Sequence, residues 1–540
     1  MELLTPEQMK TLDALAISEI GLAGAVLMEN AGSAACRLIE RVSHRHHNLL
    51  VLAGGGNNGG DASVVARKLF AEGWSVRLVL CASPERLTGD ALLNWNVARS
   101  TGVPCYVYTG DSATASDGSQ CFEFSALLES SDLIVDGLLG TGALGAPRGI
   151  TKKMIDAVNA ASKQVVSLDV PSGIDALSGA VPGVCISARH TITFTRPKTG
   201  MLQYPAQEHT GQIWVASISI PDHMVTRVGP SAFFISAAQA KIDLPSRRDD
   251  AHKADSGRVA VFAGSRRYPG AAVLCAEGSL RAGAGLTTLM ASERVWDVYA
   301  TRLTEIMLFG VDSSDEGTYS EASVLSAGQI LAEQQSAVVG PGITATDDTA
   351  VFLERLLHEL NCSLVLDADA LNILSLHSSA RTAFASFVAR EQAAITPHTG
   401  EAARLLGCGV SDVRRDRFGA ARELAARYSC IAVLKGARTL VALPGGKVWV
   451  NSTGNSALAT GGTGDVLAGV IAGLRAQGAS MAEACRAGVY IHGLAADRLL
   501  DRLRSPGFSA LDVAREIPAA AGHAREEEQA QAVPAPVMRI

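Results

Sequence analysis

The sequence has few aromatic residues, no surplus of positive charge and no long apolar run. Phe, Trp and Tyr make up 5% of the 540 residues and hydrophobic residues 47%, so the cores must be filled mainly by Ala, Val, Leu and Gly. That composition suits α/β layers. The net charge of −7 argues against a nucleic-acid partner. No apolar stretch reaches membrane-spanning length, so no membrane association is expected. Met1-Glu2-Leu3-Leu4-Thr5-Pro6 lacks a basic region followed by an apolar run, so no signal peptide is expected. The ten cysteines include no Cys-x-x-Cys pair and read as reduced thiols of a cytoplasmic protein. His44, His46 and His47 cluster, but a solvated loop before a strand accounts for them better than a metal site.

What is present is an α/β rhythm repeated in two halves. Thr5, Pro6 and Gln8 form a capping box that opens a helix with an apolar stripe at Met9, Leu12, Leu15 and Ala16. Apolar runs at 49–53, 76–80, 132–136, 165–169, 191–195 and 213–220 read as strands of a mostly parallel sheet. A second series lies at 258–264, 286–290, 337–340, 363–367, 393–396, 431–435, 439–443 and 447–451. Helical patterns at 270–282, 401–406 and 465–475 lie between some of these runs. Pro221, Pro230, Pro245 and the charged run 247–250 mark a boundary. The expected organisation is two three-layer α/β/α domains, at 1–225 and 251–522, with a linker at 226–250 and a disordered tail at 523–540.

In the first half, a strand runs into Gly54-Gly55-Gly56-Asn57-Asn58-Gly59-Gly60-Asp61 and then a helix. Gly54, Gly56 and Gly59 satisfy the dinucleotide glycine spacing, as do Gly140, Gly142 and Gly145 after another strand. No acidic residue ends the strand at 78–82, so the Rossmann fingerprint is incomplete. Two phosphate-grade loops imply one ligand crevice at the sheet's carboxyl edge. Asn57, Asn58, Asp61, Asp136, Asp169 and Ser172 lie at strand ends, an oxygen-only set suited to a hard cation; helix capping is the alternative for Asp136 and Asp169.

In the second half, Asn455 to Gly469 forms a small-residue turn leading into an apolar helix, with Asp465 at its mouth. Free N–H groups there favour an anion, while Asp465 would repel one and suits a base acting on a substrate hydroxyl. Gly340-Pro341-Gly342 follows a strand, and Asp367 and Asp369 sit at another strand end, where a magnesium–phosphate site or plain capping are both open readings. Lys435-Gly436-Ala437-Arg438-Thr439 ends a third strand and offers cationic and backbone groups to a phosphate. There is no Walker A pattern, which excludes a P-loop enzyme.

The segments at 56–61, 136–142 and 168–173 resemble the NAD(P)H-hydrate epimerases, and the second half resembles their fusion partner, the ADP-dependent NAD(P)H-hydrate dehydratases of the ribokinase-like fold. The resemblance covers nearly the whole chain apart from the tail. It implies a Rossmann-like epimerase domain in which Asn57, Asn58, Gly59, Gly60 and Asp61 hold the hydrated dinucleotide. Gly140, Thr141, Gly142, Ala143, Leu144, Gly145 and Ala146 would complete that grip. Asn58, Asp136 and Ser172 would hold a potassium ion, and Asp169 would contact the substrate as acid/base. In the dehydratase half, Ala271, Gly342, His398, Thr399, Gly400, Glu401 and Arg404 would contact the substrate. Lys435, Gly436, Ala437, Arg438, Thr439, Asn455, Thr460, Gly461, Gly462, Thr463 and Gly464 would bind ADP, with magnesium, and Asp465 would meet the substrate hydroxyl. The chain departs from the pattern at Ala62, usually glycine, and at Thr399, often proline.

The resemblance thus implies a bifunctional repair enzyme for small dinucleotide substrates. Two alternatives accompany it: an ordinary kinase of a vitamin or sugar alcohol in the second half, and a non-catalytic ligand-binding module in the first. Oligomeric state is left open, with the amphipathic first helix and the domain edges as possible contacts.

Overall fold

The computed structural model describes residues 1–43, 48–314, 317–526 and 537–539; the histidine cluster lies outside them. Two compact units form, one from Met1–Ala232 together with residues 537–539, the other beginning at Phe233.

In the first unit the strand Asn48–Ala53 lies at the centre of the sheet, paired in parallel with Ser75–Leu80 on one side and Leu133–Gly137 on the other. Gln164–Leu168, His190–Phe194 and Gln212–Ala216 extend the parallel sheet beyond Leu133–Gly137. An antiparallel hairpin, Ser112–Ala115 and Cys121–Glu123, closes the other edge beyond Cys105–Tyr108. The central strand is buried on both faces, so its side chains alternate between two cores. Leu49, Val51 and Ala53 meet residues of the helices Gly24–Val42, Asn57–Ala71 and Gly89–Ser100. Leu50 and Leu52 meet residues of Phe124–Glu129 and Gly149–Ala160. The order of strands reverses between Asn48–Ala53 and Leu133–Gly137, so the loops after them splay apart and leave a crevice.

The second unit has the same logic. Met307–Val311, Leu286–Ser292, Arg258–Phe262, Ser336–Val339, Ser363–Leu366, Ala393–Ile395 and Ile431–Leu434 run parallel in that spatial order. Leu440–Ala442 and Val448–Asn451 continue it antiparallel. Here the order reverses between Arg258–Phe262 and Ser336–Val339. The helices Pro269–Arg281 and Thr463–Ala476 pack backbone to backbone. A Cβ on Gly469 would lie 1.9 Å from the Cys275 carbonyl oxygen, and one on Gly278 2.4 Å from that of Val466. Small residues therefore fill this core, as the scarcity of aromatics requires.

Two boundaries differ from expectation. The stretch at 226–250 is not a bare linker: Ala232–Ile235 forms a strand beside Val448–Asn451, and Ala237–Asp243 forms a helix. Phe233 stacks on Trp449 at 5.0 Å, and buried Asp243 takes two 2.7 Å hydrogen bonds from Arg486. The tail is likewise partly ordered. The last helix continues to Glu526, and Val537–Arg539 adds in parallel to the edge strand Gln212–Ala216.

Candidate active sites

The first site is built where the two switch-point loops meet. Gly54 must be glycine, because a Cβ there would sit 1.8 Å from the Leu138 carbonyl oxygen. Gly56 caps the helix Asn57–Ala71, which aims the motif's backbone N–H groups into the crevice. Asn58 ties the loops together by donating to the carbonyls of Leu139 and Leu168, both at 3.0 Å. Its Oδ1 is buried and accepts no hydrogen bond from the described residues. Asp136 is fully buried and accepts from Ser167 Oγ (2.7 Å), Ser172 N (2.9 Å), Ser172 Oγ (2.5 Å) and Leu138 N (3.2 Å). Burial raises its pKa against the pull of these bonds. Ser172 Oγ in turn accepts from Leu139 N at 2.8 Å. An orphaned buried oxygen beside a hydrogen-bonded carboxylate and a hydroxyl is a donor set suited to a large monovalent cation.

Asp169 ends its strand in the left-handed region, φ 63°. Its carboxylate is ion-paired with Lys198 and accepts from Thr193 Oγ1 at 3.2 Å. Lys198, 1% exposed, also donates to Thr193 Oγ1 at 2.9 Å. Asp61 and Asp13 complete a cluster around this pair. Burial first, then repulsion from Asp169 and Asp13, pushes the Asp61 carboxyl well above the ordinary carboxylate range. Burial, opposed by Lys198, pushes Asp13 to about 6. Sequence reading missed Lys198 and Asp13. The loop carrying Thr141, Gly142, Ala143, Leu144, Gly145 and Ala146 lies open, with Leu144 89% exposed. The departure at Ala62 is absorbed: its methyl is buried in the core facing Gly137.

The second site gathers residues from five strand ends. Gly342 sits at φ 67° directly over Ala271, where a Cβ would come within 2.9 Å of the alanine methyl. The two residues are thus neighbours, as expected of one binding wall. Asp367, 1% exposed, pairs with Lys435 Nζ at 2.5 Å. Glu401 lies 4.0 Å from the same ammonium and caps its helix by accepting from His398 N at 2.7 Å. His398 Nδ1 accepts from Gly400 N at 2.9 Å, and Thr399 opens the helix Thr399–Leu406 without strain. Arg404 is aimed by a 3.0 Å bond from its Nε to Asn372 Oδ1. Asp369 opens its helix without capping it: its Oδ2 accepts from Thr344 N of the neighbouring loop at 2.9 Å.

Gly462, at φ 91°, turns the chain into the helix Thr463–Ala476. A Cβ on Gly464 would lie 3.3 Å from Lys435 Nζ and 3.9 Å from Asp367 Oδ2, so the ion pair sits directly beneath this helix mouth. Asp465 shares that environment. Burial, then repulsion from Asp367, raises its carboxyl to about 7, with Lys435 opposing. Burial likewise raises Glu401 to about 7 against the attraction of Lys435. Thr463 Oγ1 donates to the Leu458 and Thr460 carbonyls, which fixes the glycine turn Thr460-Gly461-Gly462. Asn455 anchors the turn's start through Asp497, which accepts from Asn455 Nδ2 (2.9 Å) and Gly454 N (2.7 Å). Asp497 is a third residue that sequence reading missed. Gly436 lies against the guanidinium of Arg417, Arg438 donates to the Ser452 carbonyl, and Thr439 Oγ1 donates to Gly436 O at 3.0 Å. The Lys435–Thr439 turn is therefore rigid, but its lysine faces the carboxylates.

Among the described residues no three acidic, histidine or cysteine side chains form a ready-made metal centre. Asp465 and Asp369 act electrostatically on one another beside the turn, which suits a magnesium ion held largely by nucleotide phosphates and water. No described helix is long and apolar enough to cross a membrane.

Two crevices, each with a carboxylate ion-paired to a lysine, are the arrangement of an α/β enzyme with two candidate sites. Residues 24–200 match the YjeF-related protein N-terminus family, and residues 259–519 match the NAD(P)H-hydrate dehydratase family. The bifunctional NAD(P)H-hydrate repair enzyme Nnr of Moorella thermoacetica is 36% identical over 502 residues, covering 92% of each chain. Its Escherichia coli counterpart is 36% identical over 495 residues, covering 92% of this chain and 89% of its own. The chain belongs to the bifunctional NAD(P)H-hydrate repair enzymes. Among solved structures, the ADP/ATP-dependent NAD(P)H-hydrate dehydratase from Bacillus subtilis, co-crystallised with ATP and magnesium, is 29% identical. It covers 54% of this chain and 98% of its own, with a TM-score of 0.46.

Proposed function

We propose that the first unit interconverts the R and S epimers of hydrated NAD(P)H and that the second dehydrates the S epimer to NAD(P)H at the expense of ADP. The observation that carries this is the position of Asp465 at the mouth of the Thr463–Ala476 helix, above the Lys435–Asp367 pair. An anion-binding turn and an unpaired base there meet both partners of a phosphoryl transfer to an alcohol.

The substrate carries a hydroxyl on the carbon next to the ring nitrogen, and hydroxide is a poor leaving group. Asp465 takes the hydroxyl proton as that oxygen attacks the terminal phosphoryl of ADP, releasing AMP. The nitrogen lone pair then expels phosphate, and loss of a proton from the neighbouring carbon forms the ring double bond. The glycine turn 460–464 holds the nucleotide phosphates through backbone N–H groups. Lys435 keeps the buried Asp367 from repelling them. Asp465 and Asp369, with the nucleotide phosphates and water, would help hold magnesium, which would shield the phosphate charge. In the first unit Asn58, Asp136 and Ser172 would hold potassium, which supplies charge that orders the loops around the substrate.

A release assay tests this against an ordinary kinase. Purified S epimer with ADP and magnesium should yield inorganic phosphate, AMP and the absorbance of reduced nicotinamide. A stable phosphorylated alcohol would mean a kinase.

A further inference from the structure

Four ionisable groups act on one another in the first unit: Asp169 and Lys198 as an ion pair, with Asp13 and Asp61 within electrostatic reach. One lysine cannot balance three carboxylates at this depth, so the acids must differ in state. The geometry says which is charged. Asp169 alone forms the ion pair with Lys198 and also accepts from Thr193. Asp61, 9% exposed, has no hydrogen bond to its carboxyl among the described residues and lies within electrostatic reach of Asp169, Asp13 and Lys198. Asp13 Oδ1 is buried and also unpartnered. An ionised base beside a neutral carboxyl is the arrangement of a base and an acid working together.

We propose that the first unit epimerises hydrated NAD(P)H by opening and reclosing the ring, with Asp169 taking the hydroxyl proton and Asp61 giving a proton to the ring nitrogen. The inference rests on the epimerase reading above and assigns its chemistry. As the O–H bond breaks, the carbon–oxygen double bond forms and the bond from that carbon to nitrogen breaks, its electron pair passing to nitrogen. The Asp61 proton completes the N–H bond. Rotation about the bond between the aldehyde carbon and its neighbour then presents the other face. Nitrogen adds back, Asp61 recovers its proton and Asp169 returns the first one to oxygen. Nothing is oxidised or reduced, and the oxygen never leaves its carbon.

The alternative route loses hydroxide and takes it back from water. The two are separated by incubating the full-length enzyme with pure R epimer in heavy-oxygen water, without ADP, and weighing the S epimer formed. Ring opening predicts S epimer with unlabelled oxygen; label entering in step with epimerisation would overturn it. Asp61→Asn should slow interconversion by roughly 10²–10⁴-fold while substrate affinity changes only a few-fold. A folded variant within a few-fold of wild type would remove Asp61 from the chemistry. If the variant does not fold, the isotope result on the wild type still decides. Should wild-type enzyme leave the R epimer unchanged beyond the spontaneous rate, the epimerase reading itself falls, and the ring-opening assignment with it.

Discussion

Lys435, half-buried, and Asp367, fully buried, form a 2.5 Å ion pair directly beneath the helix mouth that carries Asp465. This pair sets the charge of the second site. Removing the lysine would strand a fully buried carboxylate, a loss typically worth ~3–5 kcal/mol. Lys435→Met is therefore expected to destabilise the second unit by that order and to abolish dehydration. Denaturant melts of full-length protein, read beside epimerase activity, check that the effect stays in one unit.

Asp465→Asn removes the base and keeps its size. Dehydration should fall by roughly 10²–10⁴-fold. Epimerisation should be untouched, and ADP should bind as well or better because a negative charge near its phosphates is gone. Turnover within a few-fold of wild type would make Asp465 a helix cap only.

The raised carboxyl of Asp465 gives two pH signatures. As a base it must be ionised, so dehydration should drop about tenfold per pH unit below about 7 and level off above it. For stability the sign is the opposite of the usual carboxylate case. A folded-state value near 7 against an ordinary 3.8 means its stabilising effect is complete below the ordinary value and lost as pH rises through 7. Asp465→Asn should therefore gain stability relative to wild type as pH rises from about 5 to about 8, by ~1–3 kcal/mol. A constant difference across that range would refute the shifted carboxyl.

Lys198 is the ion-pair partner of Asp169 in the first unit. Lys198→Met is expected to slow epimerisation by one or more orders of magnitude, because it leaves the Asp169 carboxylate without its partner. Lys198→Arg should recover part of the rate. Equal rates for the Met and Arg variants would mean the lysine matters for packing alone.

Both sheets were legible because fully buried parallel strands read as short apolar runs, and the glycine loops because close approach excludes side chains. Asp465 stood out for the same reason. Lys198 did not, since a lone lysine after Pro197 has no local signal; its partner Asp169 is 29 residues away and is brought close by the pairing of Leu168 with Ile192. Lys435 was legible as a cation but not as the partner of Asp367, 68 residues distant. Composition misread 226–250, where proline and charge outweighed locally what Phe233 and Asp243 gain from the remote Trp449 and Arg486. A dehydratase fragment should accordingly begin near Ser231; one beginning at Ile242 would lose a strand and fold poorly, as circular dichroism melts would register.

The most direct measurement gives full-length enzyme an equal mixture of R and S epimers with ADP, magnesium and potassium, and follows reduced nicotinamide to completion faster than spontaneous epimerisation. Conversion of the whole mixture is predicted. A halt at the S fraction would contradict the two-site account.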